Sequence, residues 1–197
     1  MKLILTRHGE SEENRDGIIQ GHIHGKLSKE GVLQADRLAL RLKDEHIDAI
    51  YSSDLHRASD TANAVKKYHP ATPIYLTELL RERDLGRFSG KSKKVLGIDN
   101  SNYEAKVDND PTVESLEDLY LRAERFLKDI LHKHLDDVVL VVAHGGINSA
   151  IYCVMMKKSA KDIFSNQKRF QNTGISIYDL TRDSQKTILE NCIKHLE

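Results

Sequence analysis

The chain has 197 residues, and its 30 lysines and arginines balance 30 aspartates and glutamates, so the formal net charge at pH 7 is zero. This length allows one well-packed domain, and a hydrophobic content of 39% is ordinary for a globular protein. Without a net basic charge we expect no nucleic-acid partner. Without an apolar run of about 20 residues we expect no membrane partner. Cys153 and Cys192 lack zinc-ligand spacing, which indicates reduced thiols in a cytoplasmic protein.

Strand-like and helix-like segments alternate along the chain, which predicts an α/β fold in a single domain over residues 1–197. The predicted strands are Lys2–Thr6, Ile47–Ser52, Pro73–Leu76, Val138–Ala143, Gly174–Thr181 and Thr187–Ile193. The predicted helices are Ser28–Lys43, Asp54–Tyr68, Glu114–His134, Gly146–Met156 and Ala160–Asn166. The last two strands are expected to form a hairpin through Arg182–Gln185.

Residues 87–113 lack a clear periodicity and are rich in Lys, Asp, Asn and Gly. The segment is too short to be a domain of its own. Its composition predicts a short surface excursion, which could also serve as a partial lid.

Chemically reactive side chains follow three of the predicted strands. Arg7 and His8 come after the first strand, Arg57 follows the second, and His144 comes directly after Val138–Ala143. If these strands are parallel, their carboxyl ends meet at one edge of the sheet, and the four side chains converge there. Guanidinium groups bind tetrahedral anions, and a neutral imidazole is a nucleophile near pH 7. The set therefore predicts phosphoryl transfer in which arginines neutralise the phosphoryl charge.

An acid for the leaving oxygen completes such a site. The candidates lie between Glu78 and Gly86, after the third predicted strand. A free glutamate has a pKa of about 4.3, so an acid role for Glu82 requires burial or nearby negative charge that retains its proton. Asp84 is the alternative acid.

Four motifs occur in order along the chain: Arg7-His8-Gly9-Glu10, Ser52-Ser53-Asp54-Leu55-His56-Arg57, Leu80-Arg81-Glu82-Arg83-Asp84-Leu85-Gly86 and Val142-Ala143-His144-Gly145-Gly146. Together they resemble the histidine phosphatase superfamily, with its phosphoglycerate-mutase-like fold, from residue 1 to about residue 180. The resemblance implies a three-layer α/β/α sandwich with a mostly parallel central sheet.

The resemblance also implies roles for individual residues. His8 is the nucleophile and forms a phosphohistidine, and Glu82 is the general acid that later activates water. The phosphate-binding residues that it implies are Arg7, Arg57, His144, Asn14, Gln20 and Gly21. It implies no metal and no organic cofactor.

Departures from the mutase pattern favour a phosphatase acting on small phosphate monoesters. The residues after Asn14 lack the aromatic and cysteine-containing stretch of cofactor-dependent phosphoglycerate mutases. The residues after Glu82 are Arg83-Asp84-Leu85-Gly86, whereas those mutases have a sequence of the His-Tyr-Gly type there. A mutase must keep its intermediate away from water, whereas a short excursion favours an open site and hydrolysis. Two alternatives stay open, a cofactor-dependent phosphoglycerate mutase and a non-catalytic phosphate-binding module.

The expected partner is a small-molecule phosphate ester, but the motifs do not identify it. Some segments resemble fructose-bisphosphatase-like members of the family, and others resemble α-ribazole-phosphate phosphatases. Lys26-Leu27-Ser28 differs from the Pro-Leu-Thr that is usual in the family, and Ser89 stands where a glutamate is frequent. Neither resemblance therefore identifies the substrate. Monomer and homodimer are both compatible with the sequence.

Overall fold

The structure, a computed structural model, describes residues 1–99, 102–165, 170–181 and 184–197. Its strands are β1 (Lys2–Arg7), β2 (Ala49–Ser53), β3 (Ile74–Thr77), β4 (Val138–Ala143), β5 (Ile175–Leu180) and β6 (Gln185–Cys192). Its helices are α1 (Glu12–Arg15), α2 (Lys29–Leu42), α3 (His56–Lys66), α4 (Leu116–Lys133), α5 (Gly145–Met155) and α6 (Asp162–Ser165).

The strands form one six-stranded sheet in the order β3-β2-β4-β1-β5-β6. The pairs β1–β4, β2–β4 and β2–β3 are parallel. The pairs β1–β5 and β5–β6 are antiparallel. The predicted mostly parallel sheet is confirmed, and the carboxyl ends of β1, β2 and β4 lie along one edge.

The central strand β4 explains the layered packing. Val139 and Val141 join an apolar cluster with α4 and α5, whereas Leu140 and Val142 join a second cluster with α2 and α3. Because successive strand side chains point to opposite faces, a continuous apolar run contributes to both clusters. Helices therefore cover both faces of the sheet, which confirms the predicted three-layer sandwich.

The predicted helices are present, with ends that differ by a few residues. For α2 and α4 the observed helix starts later than predicted because a capping serine lies outside it. Ser28 Oγ accepts from the amide of Gly31 at the start of α2, and Ser115 caps α4 through the amide of Asp118. Asp54 precedes α3 and pairs with Arg81 instead. Among the described residues, no helix combines the length and apolar character needed to cross a membrane.

The two C-terminal strands pair as an antiparallel ribbon, as the predicted hairpin requires. The strand β6 begins at Gln185, two residues before the predicted start. Arg182 and Asp183 of the predicted connection lie outside the described residues, and so does Asn166, the predicted end of the last helix.

The segment 87–113 buries several apolar side chains, although its composition is polar. Phe88, Ile98 and Val107 are buried with Ile19 and Leu85 in a third apolar cluster. The segment includes a π-helix at Glu104–Asp108, and short 3₁₀-helices occur at Glu78–Leu80 and Gly86–Phe88. The segment thus joins an apolar cluster, which periodicity could not reveal because the apolar side chains of the segment are widely spaced. The short surface excursion stays a prediction. Asn100 and Ser101 lie outside the described residues.

Candidate active site

The register between β1 and β4 places two histidines side by side. Arg7 lies opposite Ala143, and the amide of His8 donates to the Ala143 carbonyl at 3.0 Å. The next residue of each strand is therefore a histidine, His8 after β1 and His144 after β4. Their ring centroids are 5.0 Å apart.

The loop after His8 packs backbone to backbone against the start of α2. A Cβ at Gly9 would lie 2.4 Å from the carbonyl oxygen of Gly31, and a Cβ at Gly31 would lie 1.8 Å from that of Glu10. Only glycine permits such an approach. The two glycines thus fix the path of the chain as it leaves His8.

The hydrogen bond of His8 defines its tautomer. Nδ1 lies 2.6 Å from the carbonyl oxygen of Gly9, and because a carbonyl only accepts, Nδ1 carries the proton and Nε2 keeps its lone pair. Burial lowers the pKa of His8 well below 6.5; the positive charges of Arg57 and Arg7 lower it further, and the bond to Gly9 opposes them. His8 is therefore neutral at pH 7.

Arg57, in the first turn of α3, is almost completely buried. Its guanidinium donates to the carbonyls of Ile23 at 2.5 Å, His24 at 3.1 Å and Gly21 at 3.0 Å. Burial lowers the pKa of Arg57 to about 10, while Glu82 acts in the opposite direction, so Arg57 stays protonated at pH 7. The buried Nε has no hydrogen-bond partner among the described residues.

Arg7 supplies the second guanidinium, on a half-buried side chain whose Nε is buried. Its Nη1 donates to the carbonyl of Phe170 at 3.1 Å, and its Nε has no hydrogen-bond partner within the described ranges. Burial lowers the pKa of Arg7, and the nearby Glu82 carboxylate raises it. Arg7 and Arg57 therefore both carry N–H groups that are free to bind an anion.

His144 occupies the N-cap position of α5 without a side-chain capping bond, and it is fully buried. Neither ring nitrogen has a hydrogen-bond partner in the part of the chain that the structure describes. Burial lowers the pKa of His144 well below 6.5, and the charge of Arg57 lowers it next most strongly. A neutral imidazole with both nitrogens unpaired is available to bind a phosphoryl oxygen.

The Glu82 carboxylate lies at the N-terminus of α5. Its Oε1 accepts from the amides of Gly146 and Arg83, both at 2.9 Å. A Cβ at Gly146 would lie 2.3 Å from Oε1, so a larger residue at that position would displace the Glu82 carboxylate. Glu82 is thereby held within the turn that follows His144.

Asp84, the alternative acid, has other partners. Its Oδ1 accepts from the amide of Gly86 at 2.9 Å, and its Oδ2 lies 3.8 Å from His22 Nδ1. About half of its side chain is exposed. The geometry therefore favours Glu82 over Asp84 as the acid of this site, because the Glu82 carboxylate lies close enough to Arg7 and Arg57 to affect the pKa of both.

The three remaining predicted phosphate-binding residues differ in their contacts. Gly21 reaches the site directly, because its carbonyl accepts from Arg57. Asn14 and Ser11 form a capping box, in which Asn14 Oδ1 accepts from the amide of Ser11 at 3.3 Å. Gln20 Oε1 accepts from Ser11 Oγ at 3.0 Å. Ser11 therefore links Asn14 to Gln20, and a phosphate-binding role for these two stays a prediction.

Three positioning residues were not identified from the sequence. Thr61 Oγ1 accepts from the amide of Gly9 at 3.0 Å and donates to the carbonyl of Arg57 at 2.8 Å. Asn172 donates to the carbonyl of His8 at 2.8 Å, and Asn148 donates to that of Thr6 at 3.1 Å. Thr61 and Asn148 each follow a predicted site residue by four positions on a helix, which is a detectable signal. Nothing in the sequence marks Asn172.

The arrangement joins two guanidinium groups, one buried and one half-buried, with two neutral imidazoles and one carboxyl group. Two cations can hold a tetrahedral anion, and His8 Nε2 offers a lone pair beside them. In the described ranges, no three His, Cys, Asp or Glu side chains come together as a metal-ligand set. The geometry is suited to nucleophilic attack on a phosphoryl group.

Comparisons with known proteins agree with this chemistry. A metal-independent phosphoserine phosphatase from Arabidopsis thaliana is 36% identical, covering 96% of this chain and 80% of the relative. A phosphoglycerate mutase-like protein 4 from the same plant is 32% identical, covering 100% and 87%. The crystal structure of a phosphoserine phosphatase from Entamoeba histolytica, in complex with 3-phosphoglyceric acid, has a TM-score of 0.82 at 27% identity and covers 100% of this chain and 99% of its own.

The sequence profile of the histidine phosphatase superfamily (branch 1) matches residues 3–193, which is nearly the whole chain. The fold, the ordered motifs and the clustered side chains fit that match. The chain belongs to the histidine phosphatase superfamily, branch 1.

Proposed function

We propose that this protein is a metal-independent phosphatase that hydrolyses small phosphate monoesters through a phosphohistidine formed on Nε2 of His8. The observation that carries the proposal is the Nδ1 contact with the Gly9 carbonyl in a site where His8 is neutral. This arrangement leaves Nε2 as the nucleophile, beside the two guanidinium groups that can hold the phosphoryl oxygens.

The proposed reaction has two steps. His8 Nε2 attacks phosphorus, and the bond between phosphorus and the ester oxygen breaks. Glu82, which enters this step as the carboxylic acid, gives its proton to the leaving alkoxide and becomes the carboxylate. Water then attacks the phosphohistidine and gives its proton to Glu82, the bond between phosphorus and nitrogen breaks, and inorganic phosphate and neutral His8 are restored. Arg7, Arg57 and His144 bind the phosphoryl oxygens in both steps.

A phosphatase explains the relatives and the site of this protein better than a phosphoglycerate mutase or a non-catalytic phosphate-binding module does. The phosphoserine phosphatases among its relatives support a phosphatase rather than a phosphoglycerate mutase. A binding module would need the guanidinium groups but not a neutral His8 with its proton fixed on Nδ1, nor a carboxylate near the two arginines. Both are present in this site.

The proposed substrates are small phosphorylated acids. Relatives are named for phosphoserine, and one similar structure holds 3-phosphoglyceric acid. We therefore propose phosphoserine and phosphoglycerates as the first compounds to compare. The single domain, the cytoplasmic location and the choice between monomer and homodimer stay predictions from the sequence.

Phosphate release from a panel of monoesters tests the proposed activity. With excess EDTA, we expect wild-type protein to release phosphate from phosphoserine, phosphoglycerates, sugar phosphates or an aryl phosphate, and the His8→Ala variant to release none above background. The variant's folding is checked by circular dichroism. Release by wild type that requires added metal, or release that persists in His8→Ala, would contradict the proposal.

The Glu82→Gln variant tests the acid role. A poor leaving group needs a proton in the transition state, whereas an aryl oxide does not, so the two substrates must respond differently. We expect phosphoryl transfer from phosphoserine to slow by about a hundredfold or more and transfer from p-nitrophenyl phosphate to slow far less, as measured in single turnovers. Asp84→Asn is the matched control and should show no such difference. Equal losses on both substrates in Glu82→Gln would exclude an acid role.

The neutrality of His8 predicts a pH dependence of stability. Because the pKa of His8 is lowered in the folded protein, the unfolded chain binds the extra proton first as the pH falls below about 6.5. Folding is therefore weakened by at most about 1.4 kcal/mol per pH unit for this group, and nothing is lost above pH 7. Urea unfolding at several pH values between 7 and 5 should give a steeper loss for wild type than for His8→Asn. Identical slopes would show that His8 titrates normally in the folded state.

A further inference from the structure

One arginine outside the phosphate site binds the chain segment that carries Glu82. Arg122 projects from α4, and its side chain is only 16% exposed. Its Nη1 donates to the carbonyls of Leu79 at 2.9 Å and Arg81 at 2.7 Å, and its Nη2 donates to that of Glu82 at 3.2 Å. Three carbonyls within four residues thus share one guanidinium.

A second residue fixes the orientation of that guanidinium. Glu114 accepts from Arg122 Nε at 2.9 Å and from Nη2 at 2.8 Å, which is the bidentate geometry of a strong pair. All five N–H groups of Arg122 are therefore engaged. Glu114 also accepts from the amide of Asp84 at 3.0 Å, so the same carboxylate holds the segment on the other side of Glu82.

The side chain of Glu82 extends away from these contacts. The Glu82 carbonyl meets Arg122 and, at 2.8 Å, His22 Nε2, whereas its carboxylate meets the amide of Gly146. The backbone is thus held from one side while the carboxylate reaches the phosphate site on the other. A general acid must be placed to within about 0.5 Å, so the position of this backbone decides whether the proton reaches the leaving oxygen.

We propose that Arg122, oriented by Glu114, is a positioning residue for Glu82 in the protonation of the leaving group. This inference rests on the proposed phosphatase activity and deepens it. Lysine at this position would keep the charge but could not hold three carbonyls and a carboxylate in one plane. Loss of the planar fork should therefore displace Glu82 without altering Arg7, Arg57 or His8.

The test compares two substrates in single turnovers with Arg122→Lys. We expect phosphoryl transfer from phosphoserine to slow by about tenfold or more, and transfer from p-nitrophenyl phosphate to change by less than about threefold. The inhibition constant of inorganic phosphate should stay within about threefold of the wild-type value, because the phosphate-binding groups are unchanged. Arg125→Lys, an exposed arginine on the same helix, is the matched control and should behave as wild type on both substrates.

Two further variants keep the inference testable if Arg122→Lys folds poorly. Glu114→Gln removes the charge of the orienting partner, and we expect the same substrate-dependent loss at a smaller size. In Arg122→Ala, guanidinium ion below its denaturing concentration should restore transfer from phosphoserine, since an open cavity of about 510 Å³ borders Arg122 and Glu114. Methylurea, which is uncharged, should not restore it.

The outcomes separate this inference from the proposed function. If wild type transfers no phosphoryl group to His8, the proposed function fails. If wild type is active and Glu82→Gln shows the substrate-dependent loss, but folded Arg122→Lys matches Arg125→Lys or loses both substrates equally, the positioning role is overturned. The same conclusion follows if Glu114→Gln shows no substrate dependence and guanidinium restores nothing.

Discussion

The site depends on two arginine side chains at the edge of a parallel sheet, of which Arg57 is buried and Arg7 is half-buried. Removing a guanidinium from water costs free energy unless its N–H groups form hydrogen bonds within the protein. Arg57 donates such bonds to the carbonyls of Gly21, Ile23 and His24. These contacts also fix the loop that borders the site. Burial lowers the pKa of His8 and His144, and the positive charge of Arg57 lowers both further, so the same site that attracts a phosphate ester also keeps the nucleophile neutral.

The carboxylate is held by a separate part of the fold. Glu82 lies on the segment after β3, and the amide of Gly146 on α5 binds its side chain. Its backbone is tied to α4 through Arg122 and Glu114. The nucleophile is thus fixed by the sheet and the acid by two helices, so changes in the helical support can affect leaving-group protonation while phosphate binding is preserved.

The sequence predicted those features that follow from local patterns. The apolar run Val138–Ala143 predicted its strand without error, and the residues that follow three strands predicted the convergence of Arg7, His8, Arg57 and His144. Strand pairing made this possible, because parallel strands bring their carboxyl ends together whatever their separation in sequence.

Features that depend on distant contacts could not be predicted in the same way. Asn172 binds the carbonyl of His8 across 164 positions of sequence, and Arg122 binds that of Glu82 across 40. Neither residue differs locally from an ordinary surface residue. The burial of Ile98 and Val107 was missed for a related reason, since their apolar partners Ile19 and Leu85 lie outside the segment and no helical or strand periodicity connects them.

The central claim is that His8 carries the phosphoryl group during turnover, and trapping that intermediate tests it most directly. Wild-type protein mixed with phosphoserine or an aryl phosphate, quenched in alkali and analysed by intact and peptide mass spectrometry, should carry one phosphoryl group on His8 that acid removes. The Glu82→Gln variant should accumulate it from the aryl phosphate, because water activation is impaired. Phosphate release by wild type with no phosphorylated His8 at any time, or with the phosphoryl group on another residue, would contradict the account.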